Sequence, residues 1–174
     1  MKGSGKMLEK LYKLTNQQMR SYGDCKWAIG EEKKAPGGGE LCSAAYLHAY
    51  RDPILAMMMN PSHADINSPR CFDAEGEVEK DDGTKVGCTS LTLVKEIPVP
   101  VISSVRRVAF GILAAKAVYT NPDWTRWADA WLDGSDRTTL AARAARWAAK
   151  ACTPGRTLDL VMIAASAMCL PIRD

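Results

Sequence analysis

The sequence predicts an α+β fold, with a small antiparallel β-rich N-terminal part packed with a C-terminal helical bundle of about four short helices. Three observations carry that prediction. The chain changes character at Pro98-Val99-Pro100: glycine-punctuated, strand-like segments precede it, and alanine- and tryptophan-rich segments follow. An Asp81-Asp82-Gly83 turn signal joins two long extended runs, Phe72–Lys80 and Thr84–Ile97, as an antiparallel hairpin would require. Beyond residue 100, apolar residues recur at helical spacing between strong capping residues. The expected boundary divides a β-rich domain, 1–100, from an Ala/Trp-rich helical domain, 101–174.

In the first half, Leu11-Tyr12-Lys13-Leu14 alternates as a strand does, Asn16–Asp24 reads as a polar turn, and Cys25–Ile29 is a second apolar run. Glu31–Glu40 reads as a loop around Pro36-Gly37-Gly38-Gly39, a stretch that is entropically costly to order. Leu41–Tyr50 returns as a buried strand or turn. Asp52-Pro53 then supplies a cap and a first-turn proline for a short helix over Ile54–Met59, which Asn60-Pro61 is expected to end. Gly76 and Gly87 lie inside the hairpin arms and predict bulges or a close backbone approach.

In the second half, Ser103 or Ser104 caps a helix expected to reach about Tyr119, with Val105, Val108, Ile112 and Leu113 on its buried face and Arg106, Arg107 and Lys116 elsewhere. Asn121-Pro122 opens the next helix and Gly134 closes it. Trp124, Trp127 and Trp131 fall at i, i+3 and i+7, a stripe expected to form a helix-packing seam. Asp136 is read as the cap of a third helix, with Arg143, Arg146 and Lys150 together on one face. Leu158–Met168 follows as a last apolar helix.

Charge narrows the function classes. Residues 1–102 hold thirteen Lys and Arg against fourteen Asp and Glu, and residues 103–174 hold ten against six, so the halves carry −1 and +4. An excess this mild does not favour direct nucleic-acid binding, which calls for a concentrated basic stripe. The longest apolar stretches fall short of the roughly 20 residues of a bilayer span, so no membrane partner is expected. The lysine-rich start leads into Glu9, Lys10 and Lys13 rather than an apolar signal region, which points to the cytoplasm. The six cysteines are too dispersed for a zinc cluster and read as reduced, mostly buried apolar residues. No metal or cofactor is expected.

The candidate binding residues are Tyr46, His48 and Tyr50, on one side of an extended segment; Glu75 and Glu77, which alternate with Glu79 along a hairpin arm; and the basic trio Arg143, Arg146 and Lys150. Histidine is the side chain best suited to proton transfer near neutral pH. Each group also has a plain structural reading: a packed histidine among aromatics, a solvated sheet face, a solubilising helix face.

Leu11-Tyr12-Lys13-Leu14-Thr15, Leu41-Cys42-Ser43, Leu47–Pro53, Asn60-Pro61 and Val94-Lys95-Glu96-Ile97 together resemble an uncharacterised family of small phage and bacterial proteins. The segment Trp127–Gly134, with the alanine-rich helix after it, is similar to immunity-type helical proteins. The resemblance implies a non-catalytic accessory protein of a mobile element, acting in the host cytoplasm. It would bind and inhibit a host protein or ribonucleoprotein of defence, in the manner of an anti-CRISPR or immunity protein. The alternative is an NAD-dependent, ADP-ribosyltransferase-like enzyme. For it the order of Tyr12, His48-x-Tyr50 and Glu96 is a loose resemblance, although the early strand lacks the expected His-Gly or Arg pattern, no Ser-Thr-Ser strand appears, and the late carboxylate is open among Glu75, Glu77 and Glu96.

Overall fold

The computed structural model describes residues 7–137 and 158–171. The chain divides into two compact units, Met1–Pro100 and Val101–Asp174. Among the described residues the first is β-rich with one α-helix and a single 3-10 turn, and the regular elements of the second are all helices, so the α+β class holds. The expected third helix after Asp136, with Arg143, Arg146, Lys150 and Cys152, lies outside the described residues.

In the first unit the strands are β1 (Glu9–Thr15), β2 (Arg20–Ser21), β3 (Cys25–Lys26), β4 (Glu32–Lys34), β5 (Leu47–Ala49), β6 (Arg70–Asp81) and β7 (Val86–Ile97). The hairpin β6–β7 is the centre of the sheet, antiparallel as expected. Its turn is held by Asp82, whose Oδ1 accepts from the Thr84 and Lys85 amides, at 2.8 and 2.9 Å, and from the Thr84 hydroxyl. Gly83, at φ +80°, takes the left-handed position that an L side chain resists.

Strand β1 pairs with β6 on one side, and β5 and β4 pair with β7 on the other. The chain then returns to its start. The Tyr12 amide donates to the Tyr50 carbonyl at 2.7 Å and the Tyr50 amide donates back at 2.9 Å. The circuit β1–β6–β7–β5–β1 is therefore closed, which removes exposed edges along it. Leu11, Ala49, Phe72, Ala74, Val86, Cys88, Leu91 and Leu93 fill the enclosed face, together with Trp27 from the segment after β3.

Gly76 and Gly87 are sites of close approach, as their positions in the arms predict. A Cβ at Gly76 would fall 2.5 Å from the Ser90 carbonyl oxygen, and one at Gly87 would meet Leu41 and Tyr46 at 2.6 and 2.9 Å. Register shifts at Asp73/Ala74, Glu77/Val78 and Val78/Lys80 bend β6 around the core.

Several expectations change. Glu31–Glu40 is not wholly loop, since Glu32–Lys34 forms β4 on the open side of β7. A run of charged residues, Glu31-Glu32-Lys33-Lys34, suits a short edge strand, and the Gly30 and Ala35 amides extend the pairing to the Leu93 and Thr89 carbonyls. Of Leu41–Tyr50, only Leu47–Ala49 is strand.

Helix α1 (Pro53–His63) starts on the Asp52 cap, whose carboxylate accepts from the Leu55 amide at 2.9 Å, but it runs through Pro61 instead of stopping there. Proline this near the end forfeits only one rung of the ladder. The buried Asn60 side chain secures the exit by accepting from the Ile66 amide and donating to the Ile66 carbonyl.

The second unit contains α2 (Ser104–Lys116), α3 (Pro122–Asp133) and α4 (Leu160–Cys169). Helix α2 ends before Tyr119, and its fully buried positions are Ala109, Ile112, Ala114 and Ala115, so small residues set its contact face more than the valines do. Arg106 is not on an open face. One guanidinium nitrogen donates to the carbonyls of Ala167, Met168 and Leu170 at 2.8 to 2.9 Å, capping the C-terminus of α4.

On α3 only Trp131 of the three indoles is buried. Trp124 and Trp127 are half-buried; Trp124 meets Tyr119 edge-to-face, with ring centroids 5.4 Å apart, and meets Trp127 at a tilt, 6.0 Å apart. Among the described residues, no helix is long and apolar enough to cross a membrane.

Candidate functional site

Tyr46, His48 and Tyr50 alternate along the chain with Leu47, which packs against the main core cluster, and Ala49, which belongs to it; Tyr46 and Tyr50 are buried, His48 is half-buried, and each is engaged in the fold. The Tyr46 hydroxyl donates to Glu79 at 2.8 Å, and the same carboxylate oxygen accepts from the Gly38 amide at 3.0 Å, which staples the glycine loop to β6. His48 donates from Nε2 to the Leu41 carbonyl and holds that loop down. Burial lowers the His48 pKa, opposed in part by the bond to Leu41. The Tyr50 hydroxyl and His63 Nδ1 share a hydrogen bond at 3.1 Å, with the two rings stacked 5.9 Å apart. Burial holds His63 down to about 4, so its ring is neutral at pH 7, and burial also pushes the Tyr50 phenol up.

Tyr12, His48 and Glu96 do not converge. His48 pairs opposite Gly87, whereas Glu96 lies nine positions further along β7, about 30 Å away at strand rise. There it forms a two-point ion pair with Arg70, at 2.8 and 2.5 Å.

Glu75 and Glu77 do share the outer face. Cross-strand register sets Lys10, Glu75, Thr92 and Glu32 in one row, and Glu77, Ser90 and Lys34 in the next. Lys10, Glu75, Glu32 and Lys34 are exposed, with Lys34 ion-paired to Glu32 at 3.3 Å. Glu77 is half-buried and accepts from the Thr89 hydroxyl at 3.3 Å. Glu79 leaves the row, because the register shifts around Val78 turn it toward Tyr46. Simple alternation along β6 could not reveal that break.

Inside the β-rich unit, Lys13 is 8% exposed. Its ammonium donates to the His48 carbonyl at 2.6 Å and lies 5.1 Å from the Trp27 ring centroid. Desolvation depresses its pKa to about 8. A lysine in an alternating strand reads as solvent-facing, and only the closure of β5 onto β1 shows otherwise.

The described cysteines carry free thiols: Cys71 and Cys88 are buried, Cys25 half-buried, and Cys42 and Cys169 exposed, so burial is less general than expected. Among the described residues, no group of three or more His, Cys, Asp or Glu is placed to hold a metal ion. Arg143, Arg146 and Lys150 lie outside the described residues.

Residues 9–104, more than half of the chain, match the family described as a domain of unknown function (DUF7666). The chain belongs to this family. The DUF7666 match takes in all seven strands and α1, so both the closed strand circuit and the outer charged rows fall inside it. No curated protein and no solved structure matches the chain.

Proposed function

We propose that this DUF7666 protein is a non-catalytic interaction protein, an accessory factor of a phage or other mobile element that binds and inhibits a host defence component. The observation that supports this reading most is the outer sheet face, where Lys10, Glu75, Glu32 and Lys34 stand exposed in adjoining cross-strand rows. Strand register fixes their spacing on a rigid support, and fixed charges of both signs favour specificity and orientation over raw affinity. Extended to the surrounding surface, a patch of roughly 800 Å² would suffice for a stable complex. Glu75 and Glu77, in adjoining rows of that face, suit a partner that presents basic side chains to them, as a nucleic-acid-handling defence complex would offer.

The test is functional. Bacteria carrying an active CRISPR effector are challenged with a targeted phage, with and without the expressed protein. Plaquing should rise by orders of magnitude and fall back with Glu75→Lys/Glu77→Lys, a pair whose folding is verified by an unchanged Tm. No protection by the parent protein against a panel of effectors, with the folded protein present in the cell, would overturn the reading.

A further inference from the structure

The loop that precedes β5 and the turn that joins β6 to β7 bring a thiol and an amine together across 43 residues of chain: Lys85 Nζ lies 3.1 Å from Cys42 Sγ. Cys42 is exposed and can be reached by a small oxidant. Both partners are positioned by their backbones. Lys85 sits in the turn that Asp82 organises, its amide donating to the Asp82 carboxylate and its carbonyl accepting from the Asp82 amide. Cys42 follows Leu41, whose carbonyl accepts from His48 and whose side chain lies against Gly87.

We propose that Cys42 and Lys85 form a reversible oxidative cross-link, a sulfur–nitrogen bond that locks the 35–46 loop onto the hairpin turn under peroxide. In the first step the Cys42 sulfur attacks one oxygen of hydrogen peroxide and the O–O bond breaks. Sulfur is oxidised by two electrons to the sulfenic acid, and the other peroxide oxygen leaves as water. In the second step Lys85 gives a proton to solvent, and its nitrogen lone pair attacks sulfur as the S–O bond breaks. The hydroxyl group departs with one of the two remaining N–H protons as a second water and leaves a sulfenamide that keeps the other. A separation of 3.1 Å falls within the near-attack range of about 3–3.5 Å. A dithiol reverses the link: one thiol breaks the S–N bond to free the Lys85 amine and form a mixed disulfide, and the second releases the Cys42 thiol as the dithiol closes to a disulfide.

The experiment treats the full-length protein with hydrogen peroxide, digests it with trypsin without reductant, and maps the peptides by mass spectrometry. The cross-link joins segment 35–51 to segment 81–95 with loss of about 2 Da. Trypsin does not cut after Lys85, and dithiothreitol restores both peptides. Lys85→Arg and Cys42→Ser should each abolish the joined species, and in Lys85→Arg the Cys42 sulfenic acid should become trappable by dimedone. Cleavage after Lys85 with Cys42 carrying two or three oxygens would overturn the proposal. So would a joined species that persists in Lys85→Arg, which would be a Cys42–Cys88 disulfide, or a bridge retaining an oxygen atom.

Discussion

Lys13 is the residue at which the fold departs furthest from what its composition suggests. A cation buried in the core costs several kcal/mol of desolvation, which a single carbonyl and one indole face offset only in part. Its folded pKa of about 8 lies below the ordinary value of 10.5, so between those values the unfolded chain binds more protons than the folded one. Stability from this group therefore rises with pH across that window, by about 3 kcal/mol. The cost is fully present below about pH 8.

Cys88, pushed by burial up to about 12, acts in the opposite sense above pH 9, as does Cys71, pushed up to about 11. A difference curve against a variant removes the contributions common to both chains and leaves the lysine together with its coupling to Cys88. Lys13→Met should be more stable than the parent by about 1–2 kcal/mol at pH 7, after about 1 kcal/mol is lost with the bond to the His48 carbonyl. The advantage should shrink toward zero or reverse by pH 10. Urea denaturation at the two pH values measures both, and a variant destabilised equally at each would show that Lys13 stabilises the closure as a bond donor alone.

At the level of elements, the hairpin shows what a sequence can and cannot disclose. The Asp-Gly turn and the two extended arms are local signals, and they place β6 and β7 within a few residues of where they lie. Gly76 likewise announced a close approach, because a glycine inside a strand is costly unless something needs its empty side. Gly76→Ala should therefore destabilise by about 1–3 kcal/mol, since the obstructing atom is a backbone oxygen at 2.5 Å that cannot rotate away. Glu75→Ala on the neighbouring exposed position should stay within about 0.5 kcal/mol, and paired thermal melts decide it.

Non-local pairing, by contrast, leaves no local trace. β4 hides in a charged, glycine-flanked run because its partner, β7, lies about 60 residues away. Tyr46 meeting Glu79, and Lys85 meeting Cys42, depend on the same long-range closure. The α2 contact face was only partly legible for a different reason. Alanine scores weakly in any hydrophobic pattern, yet Ala109, Ala114 and Ala115 are the residues that let another helix approach.

For the whole molecule, the question is whether the β-rich unit is a self-sufficient folding unit. Its main buried cluster draws every member from residues between Leu11 and Leu93, and the strand circuit is closed by hydrogen bonds between Tyr12 and Tyr50. The DUF7666 match, 9–104, runs only a few residues past the division at Pro100. A chain of this length buries roughly 65% of its unfolded surface, which is enough for marginal independent stability.

Residues 1–104 expressed alone should therefore give a strand-dominated circular dichroism spectrum and one cooperative thermal transition, and should retain slowly exchanging amides at Tyr12 and Tyr50. Loss of cooperativity would mean that the helical unit supplies stability the strand circuit lacks. The comparison with full-length protein also bears on function. If the outer charged rows are the binding face, the fragment should keep partner affinity within about threefold, because Glu75, Glu77, Lys10, Glu32 and Lys34 all lie within it. A fragment that folds but no longer binds would move recognition into residues 105–174.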